Sequence, residues 1–552
     1  MPMRVFRIQL LLFVFMCIMV VIPQSVTAVG VTGQPQTLND TLQNPEYLKG
    51  LEAYKAGDYK SAVKVWKKAA KNGDALAQCN LGACYASGLG VEQSYGTALR
   101  WFRKSAAQGN DVAQCNLGNC YFKGNGVNQD FDEAVKWYIL SAEQGNVMAM
   151  TNMGICYKIG EGVAADAQKA FEYFYIASEK GYSVAMNELG DCFFFGNGIM
   201  QSLDEAFYWY TKAARQGLDV AQYNLAMCYA YGDGVVQNNE EAFKWYLKAA
   251  GQGHVEAQYR LAECYYTGTG TAKDASQAVT WYEKAALQGH VDSQYLLAGC
   301  YYSGDGVSEN CKMAVKWYTE AAKQGDADAT CQLAGCYYWG DGVYPDYDKA
   351  MSLYADAAEL GSAEAMFYLA EFYQSDEDDG YDMHYIFEWY SRAAEAGYAP
   401  AYCRVGECYY HGIGDHVDYA EAARWFGMGA DTGDTDAQYN IARCYYLGEG
   451  VEQDYLKAAR WYISAAEKGN VEAQYMLGVM YYKGMGVQQS YTESVMWYTK
   501  AADQGHPAAQ YDLGICNYYG QGTAANRERA VELWELSAEQ GYELATEALE
   551  DF

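Results

Sequence analysis

Seventeen cysteines and six histidines are the side chains of this sequence best suited to metal or redox chemistry, and both are spaced with unusual regularity. Eleven cysteines share one register: Cys84, Cys120, Cys156, Cys192, Cys228, Cys264, Cys300, Cys336, Cys408, Cys444 and Cys516. Cys79, Cys115, Cys331 and Cys403 share a second, five residues earlier. No Cys-x-x-Cys pair exists, so the usual zinc spacing is missing. His254, His290 and His506 each follow a glycine (Gly253, Gly289, Gly505) in one repeating slot, while His411 and His416 flank Gly412-Ile413-Gly414-Asp415. Only the last two are near enough in sequence to share a metal, and two ligands make a weak site. A nucleophile elbow, a Walker loop and an HExxH pair are all absent. The expectation is a chain with no catalytic residues, no metal and no cofactor.

The elements that position these residues repeat every 36 positions. Ala77 recurs as Ala113, Ala149, Ala185, Ala221, Ala257, Ser293, Ala329, Ala365, Ala401, Ala437, Ala473, Ala509 and Ala545, without insertion or deletion. A period of this length marks stacked supersecondary units. In residues 77–112, Ala77, Leu81, Cys84 and Tyr85 fall on one side of a first helix over 77–85. Gly88 and Gly90 break it, since two glycines can take the left-handed φ values of a tight turn. A second helix over 95–108 buries Ala98, Trp101, Phe102 and Ala106-Ala107. Gly109 ends it, and Asn110-Asp111 supply capping chemistry for the next. Gly82 and Ala98 are small enough to let the hairpin close, and Tyr85 and Trp101 are large enough to fill the gap between hairpins.

This register decides the cysteines. Equivalent positions in stacked helices lie about 9–10 Å apart, beyond the roughly 7 Å Cα limit for a disulfide. Cysteines five apart on one helix point about 140° apart. The ladder therefore reads as small buried apolar side chains, with no disulfides. The Gly-x-Gly loops follow no strand, which removes the support for a phosphate site.

Net charge is −31 and the sequence pI is about 4.5 over 552 residues. Such a surface repels phosphate backbones and excludes nucleic acid as the expected partner. A hydrophobic fraction of 51% with seven prolines excludes a disordered chain. Residues 1–28 read as a signal peptide: Arg4 and Arg7, an apolar run from Leu10 to Ile22, Pro23, then Val26-Thr27-Ala28 for cleavage. The run is short for a membrane span of about 20 residues, and no later segment is apolar enough. The expectation is export, to the periplasm or outside if the source is bacterial, or the ER lumen or outside if eukaryotic, with no integral membrane segment after cleavage. Residues 29–44 read as a flexible leader, with the sequon Asn39-Asp40-Thr41.

Ala437-Gln438-Tyr439-Asn440, Gly448-Glu449-Gly450-Val451, Asp454-Tyr455, Ala459-Arg460-Trp461-Tyr462 and Ala465-Ala466-Glu467-Lys468-Gly469 resemble the Sel1-like repeat, a relative of the tetratricopeptide repeat. The resemblance runs from about residue 45 to 550. It implies an all-α, right-handed superhelical solenoid of antiparallel helix pairs that organises other proteins and does not catalyse. Relatives of this kind act in protein quality control, in cell-envelope assembly and as exported bacterial proteins that meet host partners. A cysteine-rich branch cross-links a second helix to the following first helix, but here second helices hold only Cys311. The organisation expected is an N-terminal tetratricopeptide-like capping unit at 45–76, thirteen Sel1-like repeats over 77–544, and a C-terminal half-helix at 545–552. The repeat at 365–400 is degenerate, with Asp376 and Asp378 in its glycine slots, and 411–418 is an irregular loop. The acidic run at 375–382 leaves calcium binding open, although the EF-hand spacing is absent.

In tetratricopeptide-like superhelices the first helices line the concave face. The outward stripe on that face would be the positions of Asn80, Ala83 and Ser87, an i, i+3, i+7 set. Candidate partner-binding residues on it are Asn80, Asn116, Asn119, Lys123, Asn152, Asn224, Tyr231, Arg260, Glu263, Arg404, Glu407, Asn440 and Arg443. Asparagines offer two donors and an acceptor to an extended backbone or to sugar hydroxyls. The expected function is a monomeric, non-catalytic scaffold binding a protein or extended peptide, with a carbohydrate- or cell-envelope-binding accessory as the alternative.

Overall fold

A computed structural model describes residues 44–375, 383–414 and 416–550. Residues 1–43, 376–382, 415 and 551–552 lie outside it, and with them the expected signal peptide, most of the expected leader, most of the acidic run and one position of the loop 411–418. The described residues form 29 helices and no strand, from Pro45–Lys55 to Glu543–Glu550. They divide into two compact units, one ending at Lys284 and one beginning at Ala285. Within each, successive helices pack as antiparallel hairpins, as the 36-residue register requires.

The first helix of the type repeat runs from Ala75 to Ser87, two residues longer at each end than the apolar pattern indicates. Ala75 and Leu76 extend it at one end, where Asp74 caps it by accepting the Ala77 N–H at 2.7 Å, and Ala86 and Ser87 extend it at the other, as far as Gly88. Ala77 is thus the capped residue of the first turn. Asn110 does the same for the next repeat, accepting from Ala113 at 2.8 Å. The histidine slot has this function too. His254 Nδ1 accepts the Ala257 N–H at 3.1 Å, and His506 Nδ1 accepts that of Ala509 at 3.1 Å. Both rings also stack on a tyrosine, Tyr223 and Tyr475.

Inside a hairpin, small faces large. A methyl on Gly82 would stand 2.7 Å from the Phe102 ring, and one on Gly118 2.6 Å from Tyr138. Phe102 and Tyr138 are fully buried, while Trp101 is half-buried against the preceding hairpin. The two loop glycines have different duties. Gly88 (φ 75°) ends the first helix and donates its N–H to Cys84 O. Gly90 (φ 72°) seats the loop on the preceding repeat, where a Cβ would lie 2.4 Å from the Tyr59 carbonyl. Gly126 meets Tyr95 and Gly234 meets Leu203 in the same way. The N-terminal pair Pro45–Lys55 and Tyr59–Lys71 has no described repeat before it to sit on, and its turn carries only Gly57.

A glutamine clamp joins successive hairpins. Gln78 donates to Ala70 O at 3.0 Å and accepts from Gln108 at 2.8 Å. Eight repeats hold a glutamine there, all buried, each reaching a last-turn carbonyl of the preceding second helix. Each of these carbonyls also accepts the N–H of the turn glycine, as Ala70 O does from Gly73 at 3.2 Å, so the glutamine adds a second hydrogen bond, a net gain of about 0.5–1.5 kcal/mol. Among the described residues sixteen cysteines are free thiols, fifteen of them buried. Burial pushes Cys79, Cys115 and Cys120 up to about 12, so thiolate is scarce at neutral pH and these sulfurs are poor nucleophiles.

Candidate partner-binding surface

The first helices carry the predicted stripe, and the structure divides it into a seam and a rim. At the Asn80 and Asn119 positions, side chains turn toward the neighbouring first helix. Asn116 Nδ2 reaches Cys79 Sγ at 3.9 Å, Asn152 donates to Asn119 Oδ1 at 3.0 Å, and Asn224 donates to Asn187 Oδ1 at 2.9 Å. Asn119 also accepts the Tyr138 hydroxyl at 2.8 Å. Asn80 and Asn440 are buried, against the expectation of an outward stripe, and lie against Tyr47 Oη and Cys403 Sγ. The cause is the close approach of adjacent first helices, which turns i and i+3 positions into a shared interface.

The charged members pair locally. Arg260 lies 2.8 Å from Glu263 and 3.5 Å from Glu256. Arg404 bridges Glu371 at 3.0 Å and Glu407 at 3.2 Å. Arg443 places its guanidinium 4.3 Å from the centre of the Tyr410 ring. These residues are half-buried and already engaged within the fold.

One buried charged point of the seam was absent from the predicted set. Lys158 pairs with buried Glu188 at 2.9 Å, and Tyr210 donates to Asp191 at 2.7 Å. Burial, then the Glu188 charge, hold Asp191 well above the usual carboxylate range, with Lys158 and Tyr210 pulling the other way. Burial draws Lys158 down, but Glu188 and Asp191 together raise it above its ordinary value. The signal was in the register, since Glu188 occupies the Asn80 position and Asp191 the Asn119 position.

The rim is the Ser87 position near the end of the first helices, where most of the described side chains point outward. Lys123 and Tyr231 are exposed there. So are Phe195 in the first unit and Trp339, Leu447 and Tyr519 in the second, none of which is in the candidate set above. Trp339 is 72% exposed. Exposed aromatic side chains on rigid helices are the residue type that dominates binding energy at protein interfaces. Among the described residues no group of three or more His, Cys, Asp or Glu is placed to hold a metal, and no helix is long and apolar enough to cross a membrane.

Comparison with known proteins fits this geometry. The Sel1 repeat model matches fourteen consecutive segments, from 46–74 and 75–110 through 507–542, so the N-terminal pair counts among the repeats. The solved structure of c5321, a protective antigen present in uropathogenic Escherichia coli strains and displaying an SLR fold, is 29% identical with a TM-score of 0.56. That match covers 88% of this chain and 97% of the other. A Sel1 repeat protein from Oxalobacter formigenes is 32% identical over 56% of this chain and 89% of its own, with a TM-score of 0.42. No curated protein sequence matches the chain. Fourteen matched segments spanning nearly all the described helices leave one conclusion, that the chain belongs to the Sel1 repeat family.

Proposed function

We propose that this protein is an exported, non-catalytic scaffold that holds a partner protein, or an extended peptide of one, on its first-helix face. Sel1 repeat solenoids typically serve protein–protein interaction. The observation that carries the proposal is the rim of exposed aromatic and apolar residues, Phe195 and Tyr231 in one unit and Trp339, Leu447 and Tyr519 in the other, set on a core that barely varies between repeats. A solenoid presents such positions as a binding surface. The seam beneath stiffens that surface, so little side-chain freedom is lost on binding. Export is supported by Arg4, Arg7, the apolar run Leu10 to Ile22 and Val26-Thr27-Ala28, and it accords with the antigen role of the similar c5321.

Photo-crosslinking in the producing cell tests this. A benzophenone amino acid at position 195 or 231 should capture one discrete protein, and the same probe at the exposed second-helix residue Lys136 should not. Capture of that protein equally from all three positions would overturn the assignment of the face. Adducts to glycan in place of protein would replace it with the carbohydrate-binding reading. Phe195→Ala with Tyr231→Ala should weaken a purified partner by ~100-fold, the size of two interface anchors.

A further inference from the structure

Most repeats fill the groove between their second helix and the preceding one from their own sequence. Ten of the thirteen tryptophans stand at the Trp101 position. In six repeats a lysine or arginine three residues later lies 3.6–4.9 Å from the ring centre: Lys104, Lys212, Lys248, Lys284, Arg392 and Lys500. The buried glutamine clamp closes the floor. Residues 327–362 depart at every one of these positions, with Leu353 for the indole, Asp356 for the cation, and Thr330 and Leu360 for the two glutamines. The other repeats without the tryptophan keep part of the set. Tyr173 retains a ring, and the repeat of Leu533 retains Gln510 and Gln540, bonded at 2.9 Å.

The consequence is an open groove of about 660 Å³ between the second helices Cys311–Ala322 and Tyr347–Glu359, over the first helix Ala327–Trp339. Its floor is Thr319, Thr330, Leu333 and Leu353. Thr330 cannot span to the preceding helix and donates back to Asp326 O at 2.7 Å. On the rim, Lys323 is taken by Glu320 at 2.7 Å and Lys349 by the Tyr337 hydroxyl at 2.9 Å. Asp356 and Glu359 are exposed and lie in no ion pair among the described residues.

We infer that this groove is a docking site for a partner segment that presents an aromatic side chain next to a lysine or arginine. The groove lacks an indole and its cation, and it offers a free carboxylate, Asp356, where six other repeats hold the cation. A ligand carrying both groups completes the arrangement, and its volume suits the space. A second copy of this chain fits less well. Trp339 is exposed and close in sequence, but it is followed by Asp341, Asp346 and Asp348, which are acids facing acids. The site lies on the second-helix side, independent of the rim proposed above.

Saturation-transfer NMR on the full chain tests it with two probes, tryptamine (indole with an ammonium) and indole-3-propionate (indole with a carboxylate). Tryptamine should bind ~10-fold more tightly than the acid, a difference of one charge contact. Leu353→Trp, which installs the residue of ten other repeats, should abolish tryptamine binding, and Asp356→Lys should erase the preference. Thr330→Gln closes the floor in a second way and must give the same loss. Equal binding of the two probes, or tryptamine binding that survives both closing variants, would overturn the inference. Sedimentation equilibrium on the wild type decides the other occupant: a dimer dissolved by Trp339→Ala or Leu353→Trp would mean that the groove is filled by a second copy.

Discussion

The repeats at 219–254 and 327–362 share their helix lengths and turns but treat the space between second helices in opposite ways. In the first, Gln222 reaches Ala214 O at 3.3 Å and takes a hydrogen bond from Gln252 at 2.8 Å, while Lys248 sits 3.6 Å from the Trp245 ring. In the second, the corresponding residues are Thr330, Leu360, Asp356 and Leu353, and the space stays open. The backbone is therefore set by the small residues, the turn glycines and the first-helix core. The groove residues are free to vary because they close a space that the backbone has already made.

The sharpest test of that division is the second loop glycine. A Cβ at Gly234 would lie 2.1 Å from Leu203 O, and one at Gly342 2.4 Å from the Cys311 carbonyl carbon, both at positive φ. Alanine at either should cost about 3 kcal/mol or more, because left-handed strain and a backbone clash add. Hydrogen exchange resolved by repeat should show equal losses, and a silent Gly342→Ala would show that the two backbones do not obey one rule. Next in size, Trp245→Leu should destabilise the closed repeat by about 2 kcal/mol through lost burial. Combined with Lys248→Asp and Gln222→Thr it should create tryptamine binding where none existed. If the triple variant binds no tryptamine, more than these positions separates the two repeats.

Gln222→Thr alone removes one of two hydrogen bonds to the Ala214 carbonyl, which keeps that of the Gly217 N–H at 3.0 Å, and should cost about 1 kcal/mol, with faster exchange confined to the end of that second helix. The smallest effect concerns the caps at the ends of the two repeats. His254 must be neutral at Nδ1 to cap, and burial lowers its pKa, with Asp219 and Glu256 opposing. A folded value below the unfolded one of about 6.5 means this stability is present above that pH and is lost as pH falls through the lower value. The loss should be under ~1 kcal/mol and should vanish in His254→Asn, the cap already used at Asn110. The equivalent cap of the open repeat is Ser362, accepting from Ala365 at 3.4 Å, and it should show no such pH step.

Much of this was legible before any coordinates. The 36-residue register placed both helices, both loop glycines and the close approach of Gly82 to Ala98, because periodicity fixes which side of a helix a residue occupies; that Phe102 is the ring packed on Gly82 came from the structure. It also contained the charged point at Glu188 and Asp191 and the departures at Leu353 and Asp356, which needed only a position-by-position comparison. It misjudged Asn80 and Asn440, since an angle about one helix does not tell how near the next helix stands.

The sequence alone determined the all-helical repeat architecture and its 36-residue period, because a repeating unit sends identical residues to identical places. Only the tertiary structure decided which stripe residues are spent on the seam and which remain on the rim. It alone revealed the groove beside Leu353, because an empty space belongs to two helices at once and to no residue of either.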